Sequence, residues 1–184
     1  MRFIGTMIVA AVTLMGAAAQ TNKVDQRKEN QQDRVAQGMK SGQLTAGETG
    51  KLETKEAAIN QEVRTDRTLN GGKLTGREKQ IVNRQQNQMS NQIYAGKHNA
   101  ATQPTPKSEV GARRENQQDR IANGVASGKL AAGQTAKLEK GESAINKEVK
   151  TDHSANGGKL TGAEKKQVNQ RQNQMSGKIY RVKH

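Results

Sequence analysis

The sequence predicts an all-α protein, a tandem duplication of a three-helix unit with a marginal core. Three observations predict it. Residues 29–98 align without a gap on residues 115–184, with 45 of 70 positions identical. Apolar residues recur at steps of three and four inside each copy. Gly-x-Leu-Thr-x-x-Glu phrases punctuate the chain where one helix ends and the next begins.

The first segment reads as a secretory signal. Arg2 supplies the positive start, Phe3 to Met15 is almost unbroken apolar sequence, and Ala17-Ala18-Ala19 closes it with small residues. That is the order of charge, apolar core and small-residue cleavage site of a signal peptide over 1–19, with cleavage expected after Ala19. The run is shorter than the roughly 20 residues a spanning helix needs. No cysteine is present, which excludes a disulfide framework, a lipoprotein anchor and thiol catalysis. With one N-terminal signal and no second apolar segment, a periplasmic or secreted protein is expected.

Cleavage removes Arg2 from the 31 basic residues and leaves 30 against 17 acidic ones, a formal charge of about +13. Leu, Ile, Val and Phe then make up only about 13% of the chain, below the roughly 20% at which disorder competes with folding. Residues 20–28 are expected to be disordered. So is the linker 99–112, which holds both prolines, Pro104 and Pro106. Helical repeat 1 is then 29–98 and helical repeat 2 is 113–184.

Within repeat 1 the helices are expected near 29–40, 46–69 and 76–97. Gly42 and Gly72 can adopt the left-handed conformation that ends a helix. Thr45 with Glu48, and Thr75 with Glu78, can form capping boxes. In repeat 2 Ala131 and Gln134 weaken the first cap, whereas Thr161 and Glu164 keep the second. The apolar stripes are narrow: Val35 and Met39; Leu52, Ile59 and Val63; Val82, Met89 and Ile93. The second copy repeats them from Ile121 to Ile179. Short turns make successive helices antiparallel neighbours. That arrangement sets Val35 level with Leu52, Val63 with Val82 and Ile59 with Gln86. It also predicts a polar layer of Gln32, Glu56 and Met89, repeated as Gln118, Glu142 and Met175. A glutamate on such a seam costs free energy unless hydrogen-bonded or hydrated.

Catalytic constellations are not found. The histidines are His98, His153 and His184, and His153 stands where the first copy has Arg67. No Gly-x-Ser-x-Gly, His-Glu-x-x-His or phosphate-binding glycine loop occurs, so the expected protein is not an enzyme and carries no cofactor. The Gly-Lys-Leu-Thr-x-x-Glu phrase resembles the second half of an EF-hand calcium loop. That resemblance implies metal ligands at Asp66, Asn70 and Glu78 and at Asp152, Asn156 and Glu164, but Arg67 or His153 stands at its first position. A degenerate, metal-responsive EF-hand-like module is therefore the alternative reading. The phrases Glu-Asn-Gln-Gln-Asp-Arg, Asn-Gly-Gly-Lys-Leu-Thr-Gly and Gln-Asn-Gln-Met-Ser resemble those of exported tandem-repeat proteins of environmental bacteria, a group that implies no activity.

The charge raises polyanion binding. Lysines and arginines are dispersed among acidic residues, and Tyr94 and Tyr180 alone offer no stacking platform for bases, which argues against nucleic acid. The expected role is charge-assisted binding to an anionic envelope component or partner protein.

Overall fold

The computed structural model describes residues 13–104 and 106–184, with side chains from Lys23 onward. Its six helices are α1 (Thr13–Lys40), α2 (Ala46–Leu69), α3 (Gly76–Lys97), α4 (Glu109–Ala126), α5 (Ala132–Ala155) and α6 (Gly162–Lys183). No strand occurs among the described residues. None of these helices is long and apolar enough to cross a membrane.

Local chemistry accounts for the boundaries. Thr45 and Thr75 cap α2 and α3, each accepting from the amide three residues on, while Glu48 and Glu78 accept from the cap amides at 2.9 and 2.7 Å. Thr161 and Glu164 repeat this at α6, with the amide bond at 2.8 Å. At α5 only half the device survives: Ala131 N–H donates to Gln134 at 2.9 Å, but Ala131 has no side-chain acceptor to return. The ends of α2 and α5 turn on glycine pairs, Gly71 and Gly72 at φ 61° and 87°, Gly157 and Gly158 at 63° and 89°. The amides of Gly72 and Gly158 reach back 2.7 Å to the carbonyls of Arg67 and His153, which closes each helix.

α1 begins earlier than the periodicity predicts. Residues 20–28, expected to be disordered, continue α1: Val24 is buried, and its carbonyl accepts from Gln86 at 2.9 Å. Asp25 also pairs with Arg67 at 3.0 Å. A contact to α3 thus anchors sequence whose own composition would not hold a helix. The expected signal segment 1–19 lies mostly outside the described residues. The expected disordered linker 99–112 is corrected in the same way. Its first part is irregular but pinned, Gln103 N–H to the Gly42 carbonyl at 2.8 Å and Arg114 to the Pro104 carbonyl at 2.6 Å. Its last residues, from Glu109, already belong to α4, whose N-cap is Ser108. Repeat 2 therefore starts structurally at Glu109 rather than at 113.

The packing differs from two self-contained bundles in series. α1 and α2 scarcely touch; α3 lies against both and bridges them, as α6 does for α4 and α5. The closest helix pair is α2 with α5, followed by α1 with α4. Small residues permit this approach. A Cβ on Gly47 would sit 3.4 Å from Ser143 Oγ, one on Gly50 3.4 Å from Glu139 Cβ, and one on Gly133 3.8 Å from Ala57 Cβ. The contacts step in opposite directions along the two helices, so α2 and α5 are antiparallel. Gly47–Ser143 and Ala57–Gly133 also exchange under the 86-residue offset between copies, the signature of a pseudo-twofold interface. The two copies bury one shared core, from Val24 through Leu52 and Leu138 to Ile179. Sharing it compensates for the few large apolar side chains in each copy.

Candidate functional site: a cationic cleft beside a buried carboxylate cluster

A cleft of about 1230 Å³ opens between the proline-bearing connection, the N-terminal turns of α2 and α4, and the C-terminal half of α5. Lys147, Lys150 and His153 line it from α5, Lys107 from the connection and Arg114 from α4. No acidic residue lines it among the described residues. Pro104, Pro106, Val110, Ile145 and Val149 supply aliphatic surface. Steps of three from Lys147 to Lys150 to His153 place all three on neighbouring turns of one helix face. Part of this arrangement serves the helix itself, because cations near the C-terminus of α5 complement its dipole.

The pseudo-twofold relation gives this cleft a counterpart of about 420 Å³, lined by Lys28, Asn60, Val63, Arg64 and Arg67 with Ala131 and Ala132. These correspond to Arg114, Asn146, Val149, Lys150, His153, Thr45 and Ala46 of the larger cleft. The charges have diverged. The smaller cleft holds Asp25, Glu29 and Asp33, and Arg67 is paired to Asp25. In the second copy Gly111 replaces Asp25, His153 replaces Arg67 and Lys147 replaces Gln61. One acid lost, at Gly111, and one cation gained, at Lys147, outweigh the exchange of Arg67 for His153; Glu115 and Asp119 keep the acids of Glu29 and Asp33 but do not line the larger cleft.

Behind the cleft, at the α2–α5 seam, lie four fully buried glutamates: Glu53, Glu56, Glu139 and Glu142. Burial pushes Glu53 and Glu139 up to about 8, and Glu56 and Glu142 up to about 7. Gln32 donates to Glu53 at 3.3 Å and Gln118 to Glu139 at 3.0 Å, which partly opposes the shift. Lys28 and Arg114 pull Glu56 and Glu142 downward. Both oxygens of Glu142 are enclosed without a hydrogen-bond partner, and those of Glu56 are enclosed with only the Asn60 side chain beside them, which adds to Lys28 in lowering its pKa. A carboxyl in that setting keeps its proton to near neutral pH, because the uncharged form pays far less for leaving water. The expected Gln32–Glu56–Met89 layer is therefore shifted. All of Glu56, Met89, Glu142 and Met175 are buried, but Gln32 and Gln118 bond the glutamates one turn earlier, Glu53 and Glu139. The slack between α1 and α2 moves the register, since α3 rather than direct packing sets their spacing.

The residues of the EF-hand resemblance are placed as caps. Asn70 Nδ2 donates to both oxygens of Glu78 at 2.9 and 3.0 Å, and Asn156 does the same to Glu164 at 2.9 Å. The Thr75 and Thr161 amides and these Asn contacts hold Glu78 and Glu164 below the usual carboxylate range. Asp66 is raised, by desolvation and then by the nearby charges of Glu78 and Glu62; Asp152 lies at the equivalent place in α5. The glutamate oxygens are thus committed to the helix start. Among the described residues no group of three or more His, Cys, Asp or Glu side chains is arranged to hold a metal ion. His98 stacks on Tyr94 at the end of α3 and His184 lies tilted against Tyr180 at the end of α6; neither lines the cleft.

Sequence reasoning missed the cleft and the Glu53–Glu139 pair. The signal for the first was available in the alignment of the copies, at Asp25/Gly111 and Gln61/Lys147. Comparison with protein-family models, with curated proteins and with solved structures gives no match.

Proposed function

We propose that this chain is an exported, non-enzymatic binding protein that holds an anionic component of the cell envelope in the cleft beside α5. The observation that carries this reading is the charge composition of the cleft: Lys107, Arg114, Lys147, Lys150 and His153 with no acidic residue among them. Cations gathered in a concave site concentrate their field and attract counter-charge more strongly than the same cations on an open, mixed surface. The first copy supplies an internal contrast, because its counterpart cleft balances the same kinds of cation with Asp25, Glu29 and Asp33.

The test is binding of the full chain to vesicles with and without anionic phospholipid, followed from about 50 to 500 mM salt. Binding to the anionic vesicles alone, weakening steeply as salt rises, is expected. Lys147→Glu with Lys150→Glu should abolish it, whereas Arg64→Glu in the counterpart cleft should not. Equal binding to neutral vesicles, or indifference to salt, overturns the reading.

A further inference from the structure

Resting on that reading, we infer that the ligand of the large cleft is a single-chain amphiphile with an anionic head, one molecule per protein chain. Two chemistries meet in this cleft. Its base is aliphatic: Val110 and Ile145 are core residues whose surface reaches it, Val149 is half-buried, and Pro104 and Pro106 form the facing wall. Its rim is cationic. A free polyanion would use the rim and leave the aliphatic surface wet, whereas an alkyl chain removes that surface from water and gains roughly 25 cal/mol per Å². No aromatic residue lines the cleft among the described residues, so it offers no flat face on which rings could stack.

The head end is also specified. Lys147 and Lys150 lie about 4.5 Å apart along the axis of α5. The first turns of α2, at Thr45 to Gly47, and of α4, at Ser108 to Gly111, also line the cleft, each carrying its own glutamate, Glu48 and Glu109. The volume of about 1230 Å³ is ample beside the roughly 300–1,000 Å³ of ordinary ligand pockets. The counterpart, at about 420 Å³ and lined by three acids, has neither the room nor the charge, which fixes the stoichiometry at one.

Three saturated fatty acids of decreasing length and three alkyl phosphates of matching lengths, all as monomers, test the inference by calorimetry on the full chain. Long-chain members should bind one to one, and affinity should fall about fourfold for each methylene removed. A fatty alcohol of equal length should bind at least about tenfold more weakly. Tighter binding of the carboxylates or of the phosphates then distinguishes a fatty acid from a phospholipid-derived head. Lys147→Glu with Lys150→Glu should lower affinity for every anion, with helicity by circular dichroism confirming the fold. Binding that ignores chain length overturns the amphiphile while leaving the anion-binding reading intact, if anionic vesicles are still bound. Two molecules per chain overturns the assignment to the large cleft. Failure to bind either amphiphile or vesicle overturns both readings.

Discussion

Glu53 and Glu139 occupy the same position in the two copies at the α2–α5 seam, both without solvent exposure, and the charge of Glu53 adds to the burial that raises Glu139. Each takes one hydrogen bond from a glutamine and leaves its other oxygen unpartnered. The pair lies at the interface on which the shared core depends, so its proton occupancy couples directly to folding.

The pH dependence follows from the direction of the shifts. Glu53 and Glu139 titrate near 8, and Glu56 and Glu142 near 7, in the folded chain, against an ordinary value of 4.5. The folded state therefore holds more protons than the unfolded state between these values, and stability falls as pH rises through that window. The contribution is complete below about 4.5 and lost above about 8. Glu48, Glu78 and Glu164 act oppositely. Burial works upward on Glu48, but Thr45 and Asn99 outweigh it, and all three sit below the ordinary value. Their contribution is present above the ordinary value and lost as pH falls through the lowered ones. Thermal melts should give a maximum near pH 5 and a midpoint several degrees lower at pH 8.5. Glu53→Gln with Glu139→Gln should flatten the fall on the alkaline side. A stability that rises from pH 5 to 8.5 contradicts the assignment.

The α5 cap is a natural deletion experiment. Thr45 and Ala131 have nearly the same backbone, φ −73° and ψ 158° against φ −72° and ψ 155°, but only Thr45 carries an acceptor. Ala131→Thr should therefore stabilise the protein by about 1 kcal/mol without moving the chain, and Thr45→Ala should cost a similar amount. Urea denaturation of both variants measures the pair.

Glycine positions should separate into two kinds. A Cβ on Gly124 would lie 2.6 Å from Leu130 Cδ1, and one on Gly38 2.7 Å from Leu44 Cδ1, with both leucines buried in the turn that follows. Gly124→Ala should lower stability by about 1–3 kcal/mol through overpacking. Gly50 meets only ordinary contact at 3.4 Å, and its equivalent in the second copy is already Ala136. Gly50→Ala should be neutral or stabilising by up to about 1 kcal/mol, since it removes helix-interior glycine.

Much of the fold was legible because local rules fix it. The bounds of α2 and α3 follow from Thr45, Thr75 and the Gly71–Gly72 stop. The apolar stripes from Val35 to Ile93 are buried as their periodicity requires. What lay beyond the sequence depended on the second copy. Glu53 stands beside Leu52 on what an isolated unit would leave at its edge, and only α5 makes that edge interior. Residues 20–28 carry a single large apolar side chain, Val24, too little to declare a helix, yet Gln86 holds them through the Val24 carbonyl. The cleft draws on three stretches, 45–47, 102–114 and 143–158, that no local pattern joins. Substitutions between the copies, Asp25 to Gly111, Gln61 to Lys147 and Arg67 to His153, were its trace.

The seam also predicts how one repeat behaves alone. Cutting after His98 would expose the α2 face that carries Gly47, Gly50, Glu53 and Ala57, the face that α5 covers in the whole chain. Because the α2–α5 contacts exchange between equivalent positions, two copies of repeat 1 can form the same seam with each other. Residues 20–98 should therefore be weakly helical when dilute and gain helix with concentration, with sedimentation showing a dimer as the folded form. Gly50→Leu, which wedges the close approach, should abolish that gain. A helical monomer at all concentrations would mean that α1–α3 suffice alone, and that α5 covers a face already stable in water.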